Sequence, residues 1–199
     1  MIKPLLNSFF LTLIITLVTG VLFPGMLSAA SNVLFPFNSQ GSLIKGADGQ
    51  IIGSSLIGQR FAQAKYFHPR PSAAGAGYAA EASSGTNLCP SSAKLIMGSK
   101  DFSSVKQLAD DYRKENVLAA DAAVPVDAVT RSASGLDPDI SPANALLQVK
   151  RVASSRGLTE ASVIDLVKRN VKQRELGVLG EPRVNVLLLN LELDRLKVN

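Results

Sequence analysis

The chain has 199 residues, of which 46% are hydrophobic, and it carries a formal net charge of +5 at pH 7. This length and apolar content suffice for one globular domain with a hydrophobic core, and they argue against a disordered chain. The positive charges are spread along the sequence, so a nucleic-acid-binding surface is not indicated. The single cysteine, Cys89, excludes an intrachain disulfide and a cysteine-based zinc site.

The N-terminal segment from Leu5 to Phe23 is apolar and contains no charged residue. As a helix it is about 28 Å long, close to the thickness of the hydrocarbon core of a bilayer. Two interpretations are open, a retained single-pass membrane anchor and a signal peptide cleaved near Leu27–Ser31. Since the apolar run is longer than signal peptides usually have, we assign residues 1–30 to a transmembrane anchor.

The charges beside this anchor predict its orientation. Lys3 precedes the apolar run and the next charged residue is Lys45, so the positive-inside rule favours a cytoplasmic N-terminus in the plasma (inner) membrane. The main domain then lies outside the cytoplasm. Phe35 and Phe37 have two interpretations, as residues of the membrane interface or as the beginning of the soluble core.

Beyond the anchor, residues 31–50 are interpreted as a linker with a first strand, and residues 51–199 as one domain. Turn-forming residues predict a short strand or hairpin around Ile51 and Ile52. Residues 69–90 are rich in Gly, Ala, Ser and Pro and lack apolar periodicity, which predicts a long irregular segment. Such a segment in a compact domain is usually functional or packed against a partner.

Apolar spacing and capping residues predict three helices in the C-terminal half. The first covers about Ser103–Asn116. The second has Ser141 as N-cap, Pro142 in its first turn and Gly157 at its C-terminal cap. The third covers Thr159–Arg174, with apolar residues at helical spacing along one face.

The final segment begins with strand-like alternation at Val184, Val186 and Leu188, and it then continues either as a strand or as a helix. Together these elements predict a small mixed α/β or α+β extracytoplasmic domain that follows one N-terminal transmembrane helix.

The motifs of several enzyme classes are incomplete in this sequence. The glycines of Gly53–Arg60 have the spacing of a phosphate-binding loop, but Gln59 and Arg60 replace the lysine and the hydroxyl residue of that motif. A Ser-His-Asp triad would need His68, and no Gly-x-Ser-x-Gly elbow is present. A Ser–Lys dyad, for example within Ser92–Leu95, remains open because both residue types are common.

Three further polar residues are candidate site residues: Asp137, Asp139 and His68. Asp137 and Asp139 could bind a cation or exchange protons, but the turn residues around them favour a structural role in which Asp side chains bond nearby amides. His68 lacks metal ligands of its own type, and Pro69 restricts its backbone to extended conformations. We interpret His68 as a polar aromatic side chain in a proline-fixed loop, which is a candidate docking surface.

Five stretches follow in order behind the hydrophobic segment: "GSSLIGQRF", "YFHPRPSA", "SSGTNLCPSS", "VPVDAVTRSASGLDPDISPANALLQVKRVASSRGL" and "LGEPRVNVLLLNLELD". Together they resemble the C subunit of the Kdp potassium-transporting P-type ATPase of bacteria and archaea. The resemblance covers nearly the whole chain, and the long block Val124–Val152 makes it specific.

The resemblance implies a division of labour among subunits. In that family a channel-like A subunit conducts potassium and a P-type B subunit hydrolyses ATP. The C subunit is non-catalytic, is needed for assembly, and has been proposed to act as a catalytic chaperone that raises the ATP affinity of the pump. The Asp-Lys-Thr-Gly phosphorylation motif is absent from this sequence. ATP and potassium are therefore expected to act through the complex, with no cofactor bound directly.

Two residues are singled out by the resemblance. Gln148 corresponds to a glutamine suggested to serve nucleotide binding. An extracytoplasmic domain cannot touch cytoplasmic ATP, so we expect any effect on ATP affinity to pass through the complex as coupling between sites. Cys89 stands where the family usually has a small residue. Since an exposed thiol outside the cytoplasm is open to oxidation, we expect Cys89 to be largely buried.

We therefore expect Tyr66, His68, Arg70, Asp137 and Asp139 to belong to a surface that faces partner subunits or the ion entrance. Reversing the charge of Arg70 should then weaken assembly or uptake. Two alternatives remain, a membrane-anchored Ser–Lys hydrolase and an independent extracytoplasmic binding module.

Overall fold

The computed structural model describes residues 2–46 and 48–196. Met1, Ala47 and residues 197–199, at the end of the predicted domain, lie outside the described residues. The chain divides into two compact units, Met1–Ile52 and Gly53–Asn199. A mixture of helices and short strands follows one apolar N-terminal helix, which confirms the predicted fold class.

The first unit is dominated by one continuous helix, Ile2–Leu34, which contains an 18-residue window with a mean hydropathy of 2.2. It consists of α1 (Ile2–Leu17), a π-helical segment (Val18–Leu22) and α2 (Phe23–Leu34). The π-helical segment ends two residues before Pro24, whose missing N–H disturbs the regular i→i−4 pattern. At about 50 Å the helix is longer than the predicted span. By length and composition it is the one helix among the described residues suited to cross a membrane.

Short elements complete the first unit. They are α3 (Pro36–Ser39), β1 (Leu43–Lys45) and the first two residues of β2 (Ile51–Ser54). The two strands pair as a two-stranded sheet, which confirms the strand predicted there. Phe35 and Phe37 are 61% and 52% exposed, so they do not begin the hydrophobic core.

The second unit contains a three-stranded antiparallel sheet with the order β3–β5–β4. The strands are β3 (Asp139–Ile140), β4 (Val171–Lys172) and β5 (Arg183–Asn185). Val184 of the central strand lies opposite Ile140 on one side and opposite Val171 on the other. The helices of this unit are α4 (Ala93–Met97), α5 (Val105–Glu115), α6 (Val126–Val129), α7 (Pro142–Arg156), α8 (Glu160–Arg169) and α9 (Val186–Arg195).

The main hydrophobic core lies where α7, α8, α9 and the sheet meet. Phe67, which comes from the irregular segment before α4, is fully buried in this core. A smaller cluster joins α5 to α6 around Tyr112, Ala128 and Val129. The main core therefore anchors the chain beside His68, next in sequence to Phe67.

Local capping explains where the first two predicted helices begin and end. The Ser141 hydroxyl accepts a hydrogen bond from Asn144 N, Pro142 occupies the first turn, and Gly157 ends α7 with φ +65°. Ser104 forms a reciprocal capping box with Gln107 at the start of α5. Both helices are thereby confirmed within two residues of their predicted bounds.

The third predicted helix is too long. α8 ends at Arg169, and Val171–Lys172 forms β4 instead of a last helical turn. The Asn170 side-chain amide donates from Nδ2 to Leu166 O at 3.0 Å at the helix end. The residues of β4 form backbone hydrogen bonds with β5 that a longer helix would not allow. The final segment changes from strand to helix at Asn185, whose side chain caps α9 by accepting from Leu188 N.

Residues 55–92 contain neither helix nor strand, which confirms the predicted irregular segment. Gly58 explains the glycine spacing that resembled a phosphate-binding loop. Its N–H donates to Leu136 O at 2.7 Å, and a Cβ at this position would lie 2.6 Å from Asp137 O. The glycine allows two segments to pack closely, without any need for a phosphate.

The prediction that Cys89 is buried is wrong, because its side chain is exposed. Ser92 N donates to Cys89 O at 2.8 Å and closes a surface turn. The thiol sulfur lies 3.2 Å from Ser91 Oγ, and this hydrogen bond lowers the pKa of Cys89.

Candidate functional site

The segment Tyr66–Arg70, here called the histidine loop, is held by two buried amide side chains. Gln148 of α7 accepts from His68 N at 2.7 Å and donates to His68 O at 3.0 Å. Asn190 of α9 accepts from Phe67 N at 2.8 Å and donates to Phe67 O at 2.9 Å. Each amide satisfies both backbone groups of one residue, as a neighbouring strand would. The loop is therefore fixed between two helices.

Gln148 has no hydrogen-bonding capacity left for a ligand. Its Oε1 also accepts from Arg151 Nη2 at 2.7 Å, and its Nε2 also donates to Asn144 Oδ1 at 2.9 Å. An amide offers two donors and two acceptor lone pairs, and all four are used. The side chain is 1% exposed. This geometry favours a structural role for the residue that the family resemblance linked to nucleotide.

Arg151 extends the same buried network. Its Nη1 donates to Ala64 O at 2.6 Å and Tyr66 O at 2.8 Å, and its Nε donates to Asn116 Oδ1 at 3.0 Å. Within residues 2–46 and 48–196 no carboxylate lies within 4 Å of this guanidinium. Burial lowers the pKa of Arg151, whereas the nearby Glu115 charge raises it. The Arg151 guanidinium is thus bound by neutral acceptors, and its hydrogen bonds to Ala64 O and Tyr66 O hold the backbone at the start of the histidine loop.

Sequence reasoning missed most of this network, although a signal was present. Asn144, Gln148 and Arg151 are spaced i, i+4 and i+7, so they lie on one face of α7. A polar stripe on a well-capped helix is one signal of a buried hydrogen-bond network. Asn190 interrupts an apolar run, "VLLLNLELD", which is a second signal of a buried polar group.

The His68 ring contacts a carboxylate, which sequence analysis did not predict. Nδ1 lies 2.8 Å from Glu115 Oε1 of α5, and Nε2 lies 3.1 Å from Gln63 O. Both partners are acceptors, so both hydrogen bonds exist together only when the imidazole carries two protons. His68 is thereby held at the side chain as well as at the backbone.

The His68 hydrogen bond holds the pKa of the Glu115 carboxyl below its ordinary value of 4.5. A carboxyl with a lowered folded-state pKa contributes stability that is present above the unfolded pKa and is lost as the pH falls through the folded value. We therefore expect Glu115→Gln to lower the melting temperature at pH 6, with the difference from wild type vanishing at strongly acidic pH. A difference that persists unchanged below pH 3 would contradict the pairing. The full chain in mild detergent suits the measurement.

Arg70, Asp137 and Asp139 line one open cleft of about 550 Å³. Arg70 Nη1 lies 2.7 Å from Asp137 Oδ2, and Asp139 Oδ2 lies 3.2 Å from Arg183 Nε. Asp137 Oδ1 also accepts from Asp139 N at 3.0 Å, as expected for an aspartate that stabilises a turn. The cleft brings the two predicted segments together and adds Arg183, which sequence analysis missed.

Tyr66 and His68 do not line this cleft. Tyr66 Oη donates to Asp194 Oδ2 at 3.1 Å, and the Arg156 guanidinium lies 4.9 Å from the Tyr66 ring centroid. The structure therefore places the five predicted surface residues in two groups. In the part of the chain that the structure describes, no group of three or more His, Cys, Asp or Glu side chains is arranged to hold a metal ion.

The two aspartates of the cleft differ in their electrostatic environment. Burial and the nearby Asp137 charge raise the pKa of Asp139, although Arg183 opposes them. A carboxyl with a raised pKa costs stability as the pH rises through its folded value. We expect Asp139→Asn to raise the melting temperature slightly at pH 7, with a gain that disappears below pH 3.8.

Asp137→Asn is the matched control for this prediction. It weakens the 2.7 Å ion pair with Arg70, so the melting temperature should fall at pH 7. Equal effects of both substitutions on the melting temperature would show that burial of the Asp139 carboxylate does not destabilise the fold.

The candidate Ser–Lys dyad is not assembled. Among the described residues no hydrogen bond joins Ser92 to Lys94, and the Lys94 ammonium lies 5.2 Å from the ring centroid of Phe102. Ser92 is the N-cap residue of α4. The lysine is therefore placed against an aromatic face rather than beside a hydroxyl nucleophile.

Comparison with known proteins identifies the family. The model of the family described as "KdpC: K+-transporting ATPase, c chain" matches residues 5–195. A potassium-transporting ATPase KdpC subunit of Mycobacterium tuberculosis is 48% identical over 194 residues, covering 98% of this chain and 99% of the relative. The corresponding subunit of Myxococcus xanthus is 51% identical over 185 residues, covering 92% and 84% of the two chains. By its sequence, this chain belongs to the family of C chains of K+-transporting ATPases.

Proposed function

We propose that this chain is the non-catalytic accessory subunit of an ATP-driven potassium importer. In this proposal it assembles with a channel-like potassium-conducting subunit and with a P-type pump subunit that hydrolyses ATP. Its N-terminus is cytoplasmic, its apolar helix spans the membrane, and its second unit lies outside the cytoplasm. The observation that carries the proposal is family membership over residues 5–195.

The proposed effect on ATP affinity is indirect. An extracytoplasmic domain reaches cytoplasmic ATP only through coupling between states of the complex. The saturated hydrogen bonds of Gln148 support this route, because a direct contact would require the histidine loop to be released. In this proposal the chain acts by holding its partners in a competent arrangement.

A turn between β4 and β5 supports docking onto another protein. Leu176, Val178 and Leu179 are 90%, 73% and 58% exposed. Two ion pairs fix the base of the turn, Arg174 with Glu181 at 2.6 Å and Arg183 with Glu175 at 3.1 Å. Clustered exposed aliphatic side chains on an ordered turn are typical of contact surfaces rather than of free solvent-facing loops.

The test is a pull-down of the full chain in mild detergent, followed by a potassium-stimulated ATPase assay on the purified material. We expect a channel-like subunit and a P-type ATPase to co-purify, and hydrolysis to be lost when this chain is omitted. Recovery of the chain alone as a stable monomer would contradict the proposal and favour an independent binding module. Labelling by a serine-reactive probe would instead favour the hydrolase alternative.

The same assay tests the proposed role of Arg70. Asp137 lies 2.7 Å from Arg70, so Arg70→Asp places two carboxylates side by side. A loss of assembly in this variant could come from misfolding or from lost docking, and the variant alone does not separate the two. The exchange Arg70→Asp with Asp137→Arg restores the internal pair and reverses the surface charges. We expect the exchanged variant to fold as wild type and to assemble less well. Wild-type assembly of that variant would show that Arg70 acts only within the chain.

A further inference from the structure

A second pocket, of about 330 Å³, lies between residues 85–88 and 129–133. Backbone contacts bring these segments together. Ser84 N donates to Ser134 O at 2.9 Å, and a Cβ on Gly85 would lie 2.6 Å from Ala133 O. The glycine is therefore needed for the close approach. The pocket is part of the fold rather than a gap between mobile loops.

Arg131 lines this pocket without a counter-ion. Its guanidinium carbon lies 4.2 Å from the Phe102 ring centroid, and burial lowers the pKa of Arg131. Over the described ranges it has neither a carboxylate within 4 Å nor a hydrogen bond. Each of the other described arginines that is at least partly buried has carboxylate partners or several carbonyl and amide acceptors: Arg70, Arg113, Arg151, Arg156 and Arg183.

Three more polar side chains of the pocket are unpartnered. Thr86, Asn87 and Ser132 line it, and their side chains make no hydrogen bond to any other described residue. Hydroxyl, amide and guanidinium groups all offer N–H or O–H donors. Leu88 and Val129 supply apolar walls. A partly buried cation with unused donors beside it is suited to an oxyanion.

We propose that this pocket binds a carboxylate, and that the carboxylate is an Asp or Glu side chain of another subunit of the complex. Arg131 is the one cation among the described residues that line the pocket, and one positive charge matches one negative charge better than the nearly two charges of a phosphate monoester. The planar guanidinium also pairs with a carboxylate through two parallel hydrogen bonds. This inference rests on the proposed function, since it assigns a contact within the proposed complex.

Carbodiimide coupling tests the contact in the intact complex. The reagent activates carboxylates, which then form an amide with a nearby lysine amine, whereas arginine does not react. Arg131→Lys keeps the charge and makes position 131 reactive. Arg169→Lys is the matched control, because Arg169 is an exposed residue of α8. Peptide mapping by mass spectrometry locates each link.

We expect position 131 to link to an Asp or Glu of another subunit, with a yield about ten-fold or more above that at position 169, because docking raises the effective concentration of the two groups. Arg131→Met, which keeps an apolar chain near Phe102, should fold as wild type and co-purify less well at 0.3 M salt. Links from position 131 only to this chain, or no link, would overturn the inference. Such a result with co-purification intact would leave the proposed function standing, whereas failure of the wild-type chain to co-purify would overturn the function itself.

Discussion

Arg151→Met is expected to destabilise the second unit by about 3–5 kcal/mol. The substitution removes four hydrogen bonds and leaves Ala64 O, Tyr66 O and Asn116 Oδ1 without the buried donor that satisfies them. Methionine fills a similar volume, so the loss reports hydrogen bonds and charge rather than a cavity. Chemical denaturation of the full chain in mild detergent, followed by circular dichroism, measures the free energy of unfolding.

Lys150→Met is the matched control for this prediction. Lys150 is the preceding residue of α7 and is exposed, so the same change of side chain should alter stability by less than about 0.5 kcal/mol. Similar losses for both variants would mean that the effect belongs to α7 in general. A small loss for Arg151→Met would show that water replaces the guanidinium in the network.

Gln148→Leu is expected to cost about 2–4 kcal/mol. Leucine removes both hydrogen bonds to the His68 backbone. It also removes the hydrogen bonds that Gln148 makes with the Asn144 and Arg151 side chains. We also expect increased protease cleavage near the histidine loop, because its backbone would lose one of the two amides that hold it. Gln173→Leu serves as control, since Gln173 is exposed and should tolerate the change.

The same variant separates a structural role of Gln148 from a nucleotide-binding role. Where the variant complex still assembles, we expect its KM for ATP to equal that of the wild-type complex. A large rise in the KM for ATP with unchanged stability of the free chain would contradict the structural role. That pattern would require the residue to leave its network and meet the nucleotide.

The buried polar network also explains why the histidine loop is ordered despite its irregular backbone. A loop without a strand partner exposes N–H and C=O groups that must be satisfied when it is buried. Here Gln148 and Asn190 provide these partners, and Phe67 fills the core between them. Proline at positions 69 and 71 further narrows the backbone conformations. A rigid loop loses little entropy on docking, which suits a contact surface.

Several elements were predictable because their signals are local. The caps of α7, Ser141 and Gly157, act within one helical turn of the residues that they stabilise. The uncharged N-terminal run needs only its own length and composition. The end of α8 was missed because Val171 suits a helix face and a strand equally well. Its pairing with Val184 in β5, which lies thirteen positions further on, decided between them.

By itself, the sequence determined the apolar N-terminal helix, the two well-capped helices, the irregular segment before α4, and membership of the family, since each depends on neighbouring residues or on matching blocks. Only the tertiary structure decided the partners of the candidate site. Gln148 meets His68 across 80 residues and Asn190 meets Phe67 across 123. Among the residues that the structure describes, Arg131 has no carboxylate partner, and Cys89 is exposed. Such facts depend on side chains brought together by packing, and hydrogen bonds between distant residues leave no periodic trace in the sequence that encodes them.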